Sequence, residues 1–188
     1  MPHKIVALDI GGVCLQILRQ VFFDRYRLIA EAVSLAAIER EFECGRITAA
    51  EWLGRIRQLM PELQRLPDNQ CWQQFRSIVG PEVPGIAALT AHWVRQGYHI
   101  IFFSNTSCVH ADEVWRKISF SANISDAVYS YDAGFMKPDP EIYYYFEERF
   151  GVPDLYLDDS PDNIATARKL GWQNSHVFTG TGPWLQDK

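Results

Sequence analysis

Three short apolar runs in this chain each break off into a polar cluster. Residues 4–8 end in Asp9, residues 99–103 in Ser104-Asn105-Thr106, and residues 155–157 in Asp158-Asp159. Runs of this length, the first with β-branched members and all broken by turn formers, read as strands buried on both faces. Such strands occur in parallel sheets covered by helices. The segments between them are punctuated as helices: residues 85–96 closed by Gly97, 110–117, 140–150 closed by Gly151, and a last one opened by Ser160-Pro161 and stopped by Gly171. Two further strands are expected near 127–131 and 175–178. Repeated strand–helix units predict an α/β fold with an open, mostly parallel sheet, which binds ligands outside the C-terminal strand ends. All three polar clusters then fall along one edge.

Between the first strand and residue 80 the pattern changes. From about Val21 to Val79, Leu, Ile, Phe and Trp recur at three- and four-residue spacings, the period of a helix. Thr48-Ala49-Ala50-Glu51 has the form of a capping box, so a helix is expected to start there. The expected organisation is a core of residues 1–14 and 80–188 with a small helical cap, residues 15–79, inserted after the first strand.

Composition narrows the partners. With 188 residues, the chain has room for one core and a modest second lobe. A net charge of −5 and the lack of any Lys/Arg run argue against nucleic acid, leaving small molecules. The N-terminus lacks a signal-peptide layout and no stretch approaches the roughly 18 apolar residues of a membrane span, so a soluble, cytoplasmic protein is expected. Cys14, Cys44, Cys71 and Cys108 form no C-x-x-C pair and read as reduced thiols.

Carboxylates crowded at one sheet edge repel and raise each other's pKa unless a cation shares them. Oxygen-only ligands suit Mg²⁺, which binds through one or two carboxylates plus substrate phosphate. Lys137 adds a positive charge, and the Ser104 hydroxyl, the Asn105 amide and loop N–H groups can donate to phosphoryl oxygens. The set fits phosphoryl transfer on a small phosphorylated metabolite.

Asp9-Ile10-Gly11-Gly12-Val13, Ser104-Asn105-Thr106, Lys137-Pro138 and Leu157-Asp158-Asp159-Ser160-Pro161-Asp162-Asn163 resemble, in order, the four motifs of the haloacid dehalogenase (HAD) superfamily. The resemblance covers nearly the whole chain and implies a Rossmann-like core with a helical cap. It is nearest to the D-x-G-x-V branch, which includes bacterial sugar-phosphate phosphatases such as those acting on α-glucose 1-phosphate; Gly45-Arg46-Ile47-Thr48 is similar to that branch's cap segment. The resemblance implies that Asp9 is the nucleophile and a ligand of Mg²⁺, and that Asp159 is the second carboxylate on the metal. Asp158 is implied as an additional or supporting ligand, Gly11, Ser104 and Asn105 as phosphoryl-binding, and Lys137 as stabilising charge on the phosphoryl group and Asp9. Gly11 departs from the pattern. Most phosphatases of the superfamily carry an acid–base Asp there, a contribution typically worth about 10²–10⁴-fold, whereas a backbone carbonyl on the metal survives with glycine. His110, a cap residue or a substrate-held water are the candidate replacements.

Other residues favour plain readings. His110 sits near a helix start, where a structural role is the simpler expectation. Cys108 has no visible pKa-lowering partner. Tyr143-Tyr144-Tyr145-Phe146 spans every face of a helix and reads as packing, and the Trp residues read as packing at least as well as a cleft lining. Three rivals to the phosphatase reading remain. A 2-haloacid dehalogenase would leave Asp158-Asp159 an uncompensated pair; a catalytically weak binding or regulatory protein is supported by Gly11; and a phosphorylated receiver domain would place its acidic pair on the first strand.

Overall fold

The computed structural model describes residues 4–18 and 32–185. Five parallel strands, β1 (Lys4–Leu8), β4 (Tyr98–Ser104), β5 (Ile124–Tyr129), β6 (Leu155–Asp158) and β7 (Ser175–Val177), form one sheet in the order β5-β4-β1-β6-β7. The strand that carries Asp9 lies at its centre. A second, antiparallel pair joins β2 (Leu15–Ile17) to β3 (Val79–Glu82), with Leu15 opposite Glu82 and Ile17 opposite Val79.

The sheet is buried on both faces, so its central strands read as unbroken apolar runs. Alternation sends Val6, Leu8, Ile100, Phe102, Leu155 and Leu157 into one cluster with Leu89, Trp93 and Val114. The intervening Ala7, Ile101, Phe103 and Tyr156 enter another, with Tyr143, Phe146 and Trp172. Asp9, just past the end of β1, and Asp158, the last residue of β6, continue the second parity. The helix Pro140–Phe150 supplies Tyr143 and Phe146 to this layer and leaves Tyr144 54% exposed, which is the packing role expected of the aromatic run.

A third cluster holds together the helices Ala32–Glu43, Ala49–Leu59, Pro61–Gln64 and Asp68–Arg76. Trp52 is its hub, with ring centroids 4.1 Å from Phe75 and 5.4 Å from both Phe42 and Trp72. The capping box forms as expected: the Glu51 amide donates to Thr48 Oγ1 (3.2 Å) and the Thr48 amide to Glu51 Oε2 (2.7 Å). The expected helical stretch before residue 32 lies outside the described residues. This helical layer meets the sheet layer closely. Gly45 has φ +65°, and a Cβ there would stand 2.2 Å from the Tyr131 carbonyl oxygen. Arg40 also reaches Asp139 at 2.5 Å.

Two elements differ from the sequence expectation. The fifth strand begins at Ile124, three residues earlier than expected, because Ser125 and Asp126 are exposed on an edge strand and so interrupt the apolar pattern. The β2/β3 pair was not expected, since Val79-Gly80-Pro81-Glu82 carries Gly and Pro, both disfavoured within strands. No helix among the described residues is long and apolar enough to cross a membrane.

Candidate active site

The sequence brings three strand ends together because β1, β4 and β6 are adjacent and parallel. The Asp9 amide extends the ladder by donating to Leu157 O (2.9 Å), which sets Asp9 beside the end of β6. Side-chain oxygens of Asp9, Asp158 and Asp159 lie within 4.8 Å of one another. Asp9 and Asp159 border a cleft of about 300 Å³ whose polar wall includes Ser104, Asn105, Lys137 and Asn163. Its other wall includes Ile17, Ile78, Val79 and Val114, with Glu43 and His110.

Lys137 is the centre of the charge network. Its Nζ lies 3.0 Å from Asp9 Oδ1, 2.6 Å from Asp158 Oδ2 and 2.6 Å from Phe103 O, which engages all three ammonium protons. The residue is 2% exposed and sits over the Phe103 ring, 5.0 Å from its centroid. Burial disfavours the ammonium, but Asp158 and Asp9 outweigh it and hold its pKa above the usual lysine range. The loop that delivers it contains a cis Lys137-Pro138 bond and is clamped by Asn105, whose Nδ2 donates to Lys137 O and whose Oδ1 accepts from the Lys137 amide, both at 2.7 Å.

The three carboxylates differ in environment. Asp158 is fully buried: Oδ1 accepts from the Ser160 amide (2.8 Å) and Asn163 Nδ2 (2.9 Å), while Oδ2 accepts from Lys137, Tyr156 Oη (2.5 Å) and Asn163 Nδ2 (3.1 Å). Burial opposes its charge, yet Lys137 and these donors keep its pKa below the usual carboxylate value. Asp9 is pushed up to about 7 by burial, with Lys137 opposing and Asp158 adding to the rise. Asp159 is exposed to the cleft and also raised, by partial burial and the neighbouring Asp158. One ammonium therefore faces three carboxylates. An oxygen-only set with surplus negative charge is what a hard divalent cation requires.

The sequence-expected residues Asp9, Gly11, Ser104, Asn105, Lys137 and Asp159 all line this cleft, and Asp158 lies directly beneath it. His110 lines it too, while packing tightly: Nε2 is 3.0 Å from Phe75 O and the two rings stack at 4.0 Å between centroids. None of the six Trp residues does, in keeping with the packing reading. Partial burial raises the Cys108 thiol above its usual value, so it has no activated character.

Several residues of the site carried no clear signal in the sequence. Ser130 Oγ accepts from the Thr106 amide (2.9 Å) and donates to its carbonyl (3.1 Å), fixing the loop after β4. Tyr156 holds Asp158 together with Asn163, which closes the fourth motif, and Glu43 reaches the cleft from the helical layer. A serine at a turn or a tyrosine inside an apolar strand has no pattern to distinguish it. At Gly11 a Cβ would meet Ile17 Cγ1 at 3.1 Å, so an isoleucine side chain bounds the space next to that position.

A family model described as haloacid dehalogenase-like hydrolase matches residues 3–171. No curated protein matches the chain. Among solved structures, the HAD family enzyme BT-2542 of Bacteroides thetaiotaomicron, wild-type protein in complex with magnesium and inorganic phosphate, is 25% identical. The similarity covers 97% of this chain and 98% of that one, with a TM-score of 0.81. A predicted HAD-like family hydrolase from Porphyromonas gingivalis shares the fold at 18% identity, covering 98% of this chain and 95% of that one, with a TM-score of 0.79. A putative beta-phosphoglucomutase from Thermotoga maritima is more distant, at 17% identity, 98% and 88% coverage and a TM-score of 0.63. The motif order, the parallel sheet and the match over residues 3–171 agree: the chain belongs to the haloacid dehalogenase-like hydrolases.

Proposed function

We propose that the chain is a Mg²⁺-dependent phosphatase that hydrolyses a small phosphomonoester, a sugar phosphate being one candidate, through a phosphoaspartate on Asp9. Residues 1–14 and 80–188 act as the catalytic core and residues 15–79 as the cap. The observation that carries this reading is the ammonium of Lys137 shared by Asp9 Oδ1 and Asp158 Oδ2 beneath a cleft that also holds Asp159. The magnesium and phosphate bound by the Bacteroides enzyme support it.

Lys137 orients Asp9 by occupying Oδ1, which leaves the other oxygen to attack phosphorus. That bond forms as the bond to the leaving oxygen breaks, and the departing alkoxide takes up a proton. Water then adds to the phosphorus of the acyl phosphate, gives up a proton and releases inorganic phosphate with the Asp9 carboxylate restored. Ser104 donates to the phosphoryl oxygens. Asn105 supports phosphate binding by fixing the Lys137 loop, and the buried charge of Lys137 favours the extra negative charge of the transition state. Mg²⁺ fits the oxygen donors of Asp9, Asp159 and the Gly11 carbonyl, with Asp158 behind them, and when bound supplies positive charge against phosphoryl oxygens and carboxylates. Gly11 provides no acid, so the proton is carried by Glu43, His110 or a water held by the substrate, the first two being the other titratable side chains of the cleft wall.

A metal-free dehalogenase fits less well, because Lys137 offsets only part of the charge of the three carboxylates and Asp159 has raised pKa beside Asp158. Hydrolysis of an activated aryl phosphate, measured with Mg²⁺ and with EDTA for wild type and Asp9→Asn, tests the proposal. Activity that needs both the metal and Asp9 supports it and opens a sugar-phosphate screen. A folded but inactive wild type shifts the reading to a binding or regulatory protein, for which Gly11 and Ile17 at the expected place of the acid are the specific support.

A further inference from the structure

Lys137 is shared by two carboxylates, and something must decide how the sharing falls. Its contact with Asp158 (2.6 Å) is already shorter than that with Asp9 (3.0 Å), and the two carboxylates compete for the same ammonium. Charge left unscreened on Asp158 would draw Lys137 deeper, away from the nucleophile. The Asp158 oxygen that Lys137 uses, Oδ2, also accepts from Tyr156 Oη at 2.5 Å. Asn163 Nδ2 donates to both oxygens, and Tyr143 Oη secures Asn163 from behind by donating to its backbone carbonyl at 2.9 Å.

We propose that Tyr156 is a positioning residue whose hydroxyl takes up acceptor capacity of Asp158 Oδ2 and so keeps the Lys137 ammonium against Asp9. The ring and the hydroxyl have separable tasks. The ring packs at 5.6 Å from Phe103 and 5.4 Å from Trp172, contacts that a phenylalanine would retain. The hydroxyl has a carboxylate as its partner, a stronger bond than one between neutral groups. An apolar strand buried on both faces has no packing need for a hydroxyl, and a hydroxyl at this depth carries a desolvation cost unless it is bonded. The kinetic consequence rests on the phosphatase reading above, whereas the positional one rests on geometry alone.

The test is Tyr156→Phe, compared with wild type and with the exposed control Tyr144→Phe. On an activated aryl phosphate with Mg²⁺, Tyr156→Phe should lower kcat roughly tenfold, the scale of one hydrogen bond to a charged group, with KM unchanged and the control unaffected. Its crystal structure should show Nζ of Lys137 beyond hydrogen-bond reach of Asp9 and still bound to Asp158. A variant that melts lower but keeps both kcat and the Lys137–Asp9 contact makes Tyr156 a packing residue and overturns the proposal. If wild type hydrolyses no phosphate ester, the phosphatase reading fails separately, and the crystallographic distance decides the positioning: a longer contact supports it and an unchanged one overturns it. Should Tyr156→Phe not fold, Asn163→Ala removes other donors from Asp158 without touching the aromatic layer and is read by the same distance.

Discussion

Asp159 occupies the space that a side chain on residue 12 would fill: a Cβ at Gly12 would stand 2.0 Å from Asp159 Oδ2. Gly12 also has φ +72°, a conformation that costs an L-residue roughly 1–2 kcal/mol. Gly12→Ala should therefore lower stability by about that amount. Because Asp159 has to move, Mg²⁺ affinity should fall as well, roughly 10–100-fold, the usual effect of disturbing a ligand's support. Urea unfolding and a calorimetric Mg²⁺ titration read the two effects. Unchanged Mg²⁺ affinity in the folded variant would remove Asp159 from the proposed ligand set.

The strands and the convergence of Asp9, Ser104, Lys137, Asp158 and Asp159 were legible in the sequence for one reason. A buried parallel strand is written as a continuous apolar run, and its end is marked by the first polar residue. The supports were not legible. Tyr156 acts through a hydroxyl inside a run that looks purely apolar, and Ser130 acts on Thr106 across 24 residues through a strand whose start is masked by Ser125 and Asp126. The Asn105 side chain also pairs with the backbone of Lys137, a partner that only the folded loop supplies and that the phosphate-binding expectation did not include. Gly12 belongs to the same motif as Asp9, but its need for the absence of a Cβ depends on Asp159, a carboxylate far along the chain.

Removing the central cation should be costly. Lys137→Met leaves Asp9 and Asp158 buried without their shared partner, and breaking a buried pair from one side typically costs about 3–5 kcal/mol. The loss should appear as a lower urea midpoint with unchanged slope, together with loss of turnover. Adding Asp158→Asn to Lys137→Met should recover part of the stability and none of the activity.

Asp9 gives the metal-free protein a distinctive pH dependence. Burial, helped by Asp158 and opposed by Lys137, raises its pKa to about 7. The folded chain therefore binds a proton that the unfolded chain releases near the ordinary carboxylate value. The resulting stabilisation is fully present below that ordinary value and is lost as pH rises through about 7. Asp159, also raised, acts in the same direction, whereas Asp158, held low, contributes only a loss at more acidic pH. In EDTA, the melting temperature of wild type should decline from about pH 4.5 to 8, and Asp9→Asn should flatten much of that decline. Saturating Mg²⁺ should raise the wild-type curve at neutral pH and do much less for the variant.

Installing an acid at position 11 should require a second change. A Cβ there meets Ile17 Cγ1 at 3.1 Å, so Gly11→Asp alone must displace the isoleucine. Turnover on an unactivated alkyl phosphate should rise more in Gly11→Asp/Ile17→Ala than in Gly11→Asp. The ceiling is the roughly 10²–10⁴-fold typical of general acid–base catalysis. Equal turnover of wild type and the double variant would mean that the proton is already supplied from elsewhere in the cleft.

The strand that leads to Asp9 is made long before its partners. Lys4 pairs with Tyr98, and Val6 with Leu155, so β1 has no neighbour on one side until Tyr98 has been synthesised, and none on the other until Leu155 has. On the ribosome, the helices in between are available to condense around Trp52 and Phe75 while this apolar segment waits, its backbone unpaired on both edges. Such long-range pairing slows folding, so the window for chaperone capture or self-association should open as Lys4–Leu8 emerges and close only as Leu155–Asp158 does.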